Sequence, residues 1–120
     1  MQVIESNQEQ IEEQAIIFSA FADPTRLKLM NILCRQRHPD ALCVNALAHI
    51  LGITQPAVSQ HLRVLKTIGL VTAERRGYHI HYFINMTALE RCRRLASIAM
   101  STTKPVKEES RQEHCSERRK

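Results

Sequence analysis

No stretch of eighteen apolar residues occurs in this chain of 120 residues. A helix needs about that many to cross a bilayer, so no membrane span is expected. The amino terminus, Met1 to Gln14, is acidic and polar, the reverse of the basic-then-apolar order of a secretory leader, and the expected compartment is the cytoplasm. Cys-x-x-Cys pairs are also missing: Cys34, Cys43, Cys92 and Cys115 are scattered, which argues against a disulfide framework and against a zinc ribbon. The thiols are expected to be reduced, and each can serve as a small buried hydrophobe; Cys34 and Cys92 fall on inward-facing stripes. Glycine is scarce, three residues with no Gly-x-Gly pattern. With the carboxylates gathered toward the two termini, neither a phosphate-cradling loop nor a nucleophile with its base can be assembled, and the chain is not expected to be an enzyme.

Lys and Arg are absent from residues 1–23, which hold Glu5, Glu9, Glu12, Glu13 and Asp23. Residues 24–103 reverse this, with eleven Lys or Arg against Asp40, Glu74 and Glu90. A basic body of this kind is the electrostatic footprint of a nucleic-acid binder, although many basic proteins have no such partner. With 43% hydrophobic residues, the chain can build one compact core without a disulfide or structural metal.

Ile11, Ala15, Phe18 and Ala22 recur at helical spacing, widened by Ile16 and Phe21, and predict a first amphipathic helix. Asp23-Pro24 punctuates it, since Asp accepts bonds from free amides at a helix start and Pro fits the first helical position. A second helix is predicted from Pro24 to about Gln36, burying Leu27, Met30 and Leu33 beside Cys34. Pro39 breaks the polar stretch Arg35 to Asp40, and Cys43 to Leu51 resumes a helical pattern that Gly52 ends. Gly52-Ile53-Thr54 is a turn, and Thr54 caps a fourth helix from Gln55 to Ile68 with Val58, Leu62 and Leu65 inward. The period then becomes that of strands: Leu70–Glu74 and Tyr78–Ile84 flank Arg75-Arg76-Gly77, a β-hairpin with a basic tip. Thr87-Ala88-Leu89-Glu90 has the form of a capping box, opening a last helix with Leu89, Cys92, Leu95, Ala96 and Ala99 on one face. The expected organisation is a flexible amino terminus (1–10), one domain (11–101) and a disordered charged tail (102–120).

Helix, short glycine turn, helix and basic hairpin make the fold class mainly α with a small β-hairpin, in the winged helix-turn-helix order α-α-α-α-β-β-α. The fourth helix is the expected reader of double-stranded DNA. Its amino-terminal half offers Gln55, Ser59, Gln60, His61 and Arg63, and Gln and Arg form paired bonds to adenine and guanine edges in the major groove. Arg75 and Arg76 stand where a wing meets the backbone or a narrow minor groove, or else form a solvated turn. Lys66 and Arg26 are weaker phosphate candidates, and Arg26 is equally suited to holding the fold together through a carboxylate or carbonyl. His79 and His81 alternate on one face of the second hairpin strand, as a wing display or, less simply, a metal pair. A winged-helix module used for protein contact remains the alternative function.

Three segments, Phe21-Ala22-Asp23-Pro24-Thr25-Arg26-Leu27, Leu42-Cys43-Val44-Asn45-Ala46-Leu47 and Gln55-Pro56-Ala57-Val58-Ser59-Gln60-His61-Leu62-Arg63-Val64-Leu65, resemble the ArsR/SmtB repressors, and the likeness spans roughly residues 11–101. The resemblance implies a homodimer paired through its first and last helices, binding to operator DNA, and release by an inducer. Two recognition helices would then meet half-sites about 10 base pairs apart, or a longer pitch set by the dimer. Members of that family that sense arsenic, cadmium or lead carry Cys-Val-Cys where this chain has Cys43-Val44-Asn45, so the second thiolate is missing. Those sensing zinc or nickel use Asp and His on the last helix, and Thr87 to Ser101 contains neither. Two readings of the inducer stay open. One is a thiol switch or rearranged soft-metal or arsenite site built on Cys43 with His114 and Cys115 of the tail, aided by Cys34 or His38. The other is a regulator that senses neither.

Overall fold

The computed structural model describes residues 2–36 and 42–101. His38 and Pro39, and the tail with His114 and Cys115, lie outside them. Five helices and three short strands follow in the order α1 (Gln2–Phe21), α2 (Pro24–Arg35), β1 (Leu42–Cys43), α3 (Val44–Leu51), α4 (Gln55–Thr67), β2 (Val71–Arg76), β3 (His79–Ile84) and α5 (Met86–Ala99). The predicted helices and hairpin follow in the predicted order, with differences at the start of α1, at Leu42–Cys43 and at the cap of α5. α1 begins at Gln2, so residues 2–10, expected to be flexible, continue the helix. Leu42 and Cys43, read as the approach to the third helix, form a strand instead, and the hairpin becomes an antiparallel sheet of order β1-β3-β2. The cap of α5 is Asn85, whose Oδ1 accepts from the Ala88 amide at 3.2 Å, so Thr87 lies inside the helix rather than before it.

The other helix starts are those that local chemistry demands. Asp23 Oδ2 accepts from the Arg26 amide at 3.0 Å, with Pro24 in the first turn, and Thr54 Oγ1 accepts from Ala57 at 3.3 Å. Each satisfies an amide that has no partner within its helix. Gly52 ends α3 at φ 68°, a left-handed turn that strains any residue bearing a Cβ and swings the chain from α3 into α4.

The core gathers Leu29 and Leu33 of α2, Leu47 of α3, Val58, Leu62 and Leu65 of α4, then Leu70 and Val71, with Leu89, Cys92 and Leu95 of α5 and Ile17 of α1 against them. The buried stripe of α2 is Leu29, Met30 and Leu33. Leu27 and Cys34, expected inside, share one edge of this helix seven residues apart, and both are exposed, because α2 turns a neighbouring face to the core. α1 departs further. It buries Gln14, Ile17 and Ala20, while the predicted stripe of Ile11, Ile16 and Phe18 stays exposed.

Gln14 explains that choice. Its Nε2 donates to the Leu95 carbonyl at 3.1 Å, and the adjacent Glu13 receives a two-pronged bond from Arg91, one turn before Leu95 on α5, at 2.6 to 3.0 Å. α1 is thereby clamped along α5, with a wholly polar pair at the rim and an amide satisfied within. No described helix is long and apolar enough to cross a membrane.

Candidate nucleic-acid interface

α4 is held by its inward residues Val58, Leu62 and Leu65, so at 100° per residue the intervening positions must face outward. Gln60, Arg63 and Lys66 are exposed, and Ser59 is half-buried beside them. Gln55, at the first turn, is exposed and donates to Asn45 Oδ1 at 3.0 Å, tying the start of α4 to α3. No acidic residue occupies the first turn of α4, whose free amides make a helix start attractive to an anion.

His61 behaves differently from its neighbours. It is half-buried and turned back toward the start of α2, with Nδ1 3.2 Å from Arg26 Nη1 and 3.9 Å from Asp23 Oδ2. Arg26 in turn donates from Nε to the Ala20 carbonyl and from Nη2 to Ser19 at 3.4 Å. The fold-holding alternative for Arg26 is therefore what the structure contains.

The wing is β2 and β3 in antiparallel register, from Val71 opposite Ile84 to Arg76 opposite His79. This leaves Gly77-Tyr78 as a two-residue loop, with φ 63° at Gly77 and no positive φ at Tyr78, the requirement of a II′ hairpin turn. The tip is thus Gly77-Tyr78 rather than Arg75-Arg76-Gly77. Tyr78 is 98% exposed and was missed by sequence reasoning; the signal was Gly in the first of two loop positions between strands. Arg75 is exposed. Arg76 lies back along the strand, its guanidinium 5.0 Å above the Phe83 ring and 3.6 Å from Glu74.

Alternation along the sheet puts Leu42, Val71, Tyr82 and Ile84 on the core side. The opposite face carries Cys43, His81 and Glu74 in one row, because Cys43 pairs with His81 and His81 with Glu74 across the three strands. His79 is exposed, and His81 is half-buried with Nδ1 lacking a hydrogen-bond partner among the described residues. No group of three His, Cys, Asp or Glu side chains able to hold a metal forms among the described residues. Soft metals take two or three thiolates, whereas Asn45, where a second thiolate would stand, is bonded to Gln55. Cys34 is exposed, Cys43 half-buried and Cys92 buried. Burial, reinforced by the Glu13 carboxylate, raises the Cys92 thiol above its ordinary range, with Arg91 opposing.

Residues 23–73, from the Asp23 cap to the start of the wing, match the bacterial regulatory proteins of the arsR family. The chain is 31% identical to the transcriptional repressor SdpR of Bacillus subtilis over 74 residues, 62% of this chain and 78% of that protein. It belongs to the ArsR family. The transcriptional repressor SmtB homolog of Synechocystis is 42% identical over 74 residues, 62% of this chain. The match spans 53% of that protein's length. Among solved structures, the homodimeric winged helix-turn-helix DNA-binding domain of a Mycobacterium bovis protein superposes with a TM-score of 0.60 at 28% identity, covering 78% of this chain and 80% of that one. The ArsR family is one of regulatory proteins rather than enzymes, and this chain has its winged helix-turn-helix architecture.

Proposed function

We propose that this ArsR-family chain is a transcriptional repressor that binds operator DNA as a homodimer, with α4 in the major groove and the β2–β3 wing against the flanking backbone. The observation that carries the reading is the division of α4: Val58, Leu62 and Leu65 are sealed in the core while Gln60, Arg63 and Lys66 form an exposed polar face. Gln60 and Arg63 have the paired donors and acceptors that read base edges. Gln55, Ser59 and Lys66, with Arg75 and Tyr78 on the wing, are placed for sugar and phosphate. Arg76 adds positive charge from its seat over Phe83.

A second copy supplies the symmetry that a palindromic operator needs. Ile11 and Ile16 are each 56% exposed and Phe18 40%, and Ile98 at the end of α5 is 47% exposed. Apolar residues grouped this way on a small protein mark an interaction surface. We assign it to pairing of α1 and α5 with those of the partner. The homodimeric Mycobacterium bovis domain supports a pair of copies.

The experiment is selection of a duplex from randomised DNA by the full chain, followed by anisotropy titrations. Gln60→Ala and Arg63→Ala are each expected to weaken the selected site by about 1–3 kcal/mol and to relax its sequence preference. Arg75→Ala is expected to weaken all duplexes alike and to lower the salt slope by about one. Selection yielding no preferred sequence, or unchanged affinity in the α4 variants, would overturn the reading.

A further inference from the structure

From the contacts of Arg26 and His61 we infer that these two residues act as a pair that positions the recognition helix against the helix proposed for dimerisation, and that His61 acts through Arg26 rather than through DNA. This inference rests on α4 being the helix that meets DNA.

Three donors of one guanidinium go to three different places. Nε goes to the Ala20 carbonyl and Nη2 to Ser19, both in the last turn of α1, while Nη1 reaches His61 on α4. Ala20 lies at the end of a helix, where the last four carbonyls lack intrahelical partners, so Arg26 supplies a bond that α1 needs there, while the Ser19 carbonyl also accepts from the Ala22 amide at 3.2 Å. Between α1 and α4 runs an open groove of about 570 Å³, walled by Ala15, Ile16 and Ala20 on one side and Val64, Thr67 and Ile68 on the other. The two helices are thus not closely packed along it, and the guanidinium spans the gap. Its own backbone amide is fixed by the Asp23 cap, so the bridge is anchored to the first turn of α2.

Chemistry also fixes the state of the ring. Arginine only donates, so Nδ1 of His61 must be the acceptor and the neutral ring carries its proton on Nε2. Asp23 Oδ2, 3.9 Å from Nδ1, is too distant to hold the ring in its place. An imidazole whose inner nitrogen is committed in this way sets the rotation of α4 one residue from Gln60 and two from Arg63. A shift of α1 at the dimer interface pulls on the same guanidinium that orients the reading face.

The test uses geometry that separates a positioning role from a DNA contact. Asn places its Oδ1 at the chain position of His Nδ1 and can accept from Arg26, whereas Gln places its polar atoms at the position of the outer Nε2. With the full chain and its selected duplex, His61→Ala is expected to lose about tenfold in affinity, the scale of one charge-assisted hydrogen bond. His61→Asn is expected to restore most of it and His61→Gln little. Arg26→Lys, which keeps the charge but cannot span all three acceptors, is expected to weaken binding similarly. The Arg26→Lys/His61→Ala double variant should be no worse than the single. Nitrogen NMR of the free protein should show His61 protonated at Nε2, and loss of that preference in Arg26→Lys. Rescue by Gln instead of Asn, or additive losses in the double variant, would overturn the inference while Gln60→Ala and Arg63→Ala still weaken binding. If those two also leave the affinity unchanged, the DNA reading of α4 falls and this inference with it.

Discussion

Gln14 of α1 and Leu95 of α5, 81 positions apart in the chain, are joined by a buried 3.1 Å bond from the amide Nε2 to the backbone carbonyl. Gln14 is only 8% exposed, so its amide has no water to fall back on. Gln14→Ala is expected to lower the unfolding free energy by about 1 kcal/mol, read from urea midpoints at fixed protein concentration. Gln14→Leu should lose a similar bond but recover part of it through apolar contact with Leu95. A variant as stable as the parent would mean that the clamp of α1 on α5 rests on Ile17 and the Glu13–Arg91 pair alone.

Ile16 lines the α1 side of the groove that faces α4 and is 56% exposed. Replacing it by Glu places a charge on the surface assigned to the second copy. Ile16→Glu is expected to sediment as a folded monomer, with unchanged helical content and an unfolding midpoint that no longer rises with protein concentration. Affinity for a palindromic duplex should fall with it. A dimer of undiminished strength would remove α1 from the interface.

Asp23 couples the α2 cap to pH. The hydrogen bond from the Arg26 backbone amide holds its carboxyl below the ordinary carboxylate range, with the Arg26 charge adding and partial burial opposing. A carboxylate with a lower pKa in the folded chain adds stability above its unfolded value of about 3.9, and that stability is lost as pH falls through the folded value. Asp23→Asn keeps a capping oxygen and has no proton to gain. Stability curves of parent and variant should therefore differ near neutral pH and draw together in acid. Parallel curves down to the acid limit would show that Asp23 contributes nothing to the acid response.

The three described cysteines should separate by alkylation rate. Cys34 is exposed, Cys43 half-buried, and Cys92 buried with its thiol raised by desolvation. Because the thiolate is the reactive form, iodoacetamide at neutral pH is expected to label Cys34 first, Cys43 more slowly, and Cys92 only after denaturant is added. Peptide mapping by mass gives the order directly. Labelling of Cys92 in the native protein would mean that α5 opens from the core far more readily than its packing implies.

Local chemistry made much of this protein legible before any coordinates. Asp23-Pro24, Thr54 and Gly52 name their helix ends because caps and left-handed turns depend on single residues and their immediate neighbours. Val58, Leu62 and Leu65 announced their face because α4 has a clean helical period, and with it came the outward Gln60 and Arg63. Gly77 marked the hairpin, although its place in the two-residue loop, and so the exposure of Tyr78, followed only from the strand register.

What the tertiary structure alone decided concerns faces with more than one way to be buried. α1 has apolar residues on two sides, and the amide of Gln14 with the carboxylate of Glu13 chose the side that meets α5, leaving Ile11, Ile16 and Phe18 outside. The same competition left Leu27 and Cys34 exposed on α2. His61 sits in a polar run indistinguishable by spacing from its neighbours, and only the approach of Arg26 from a separate helix turned it inward. Spacing along one helix states which residues share a face; which face another element covers depends on partners distant in sequence, and periodicity does not carry that information.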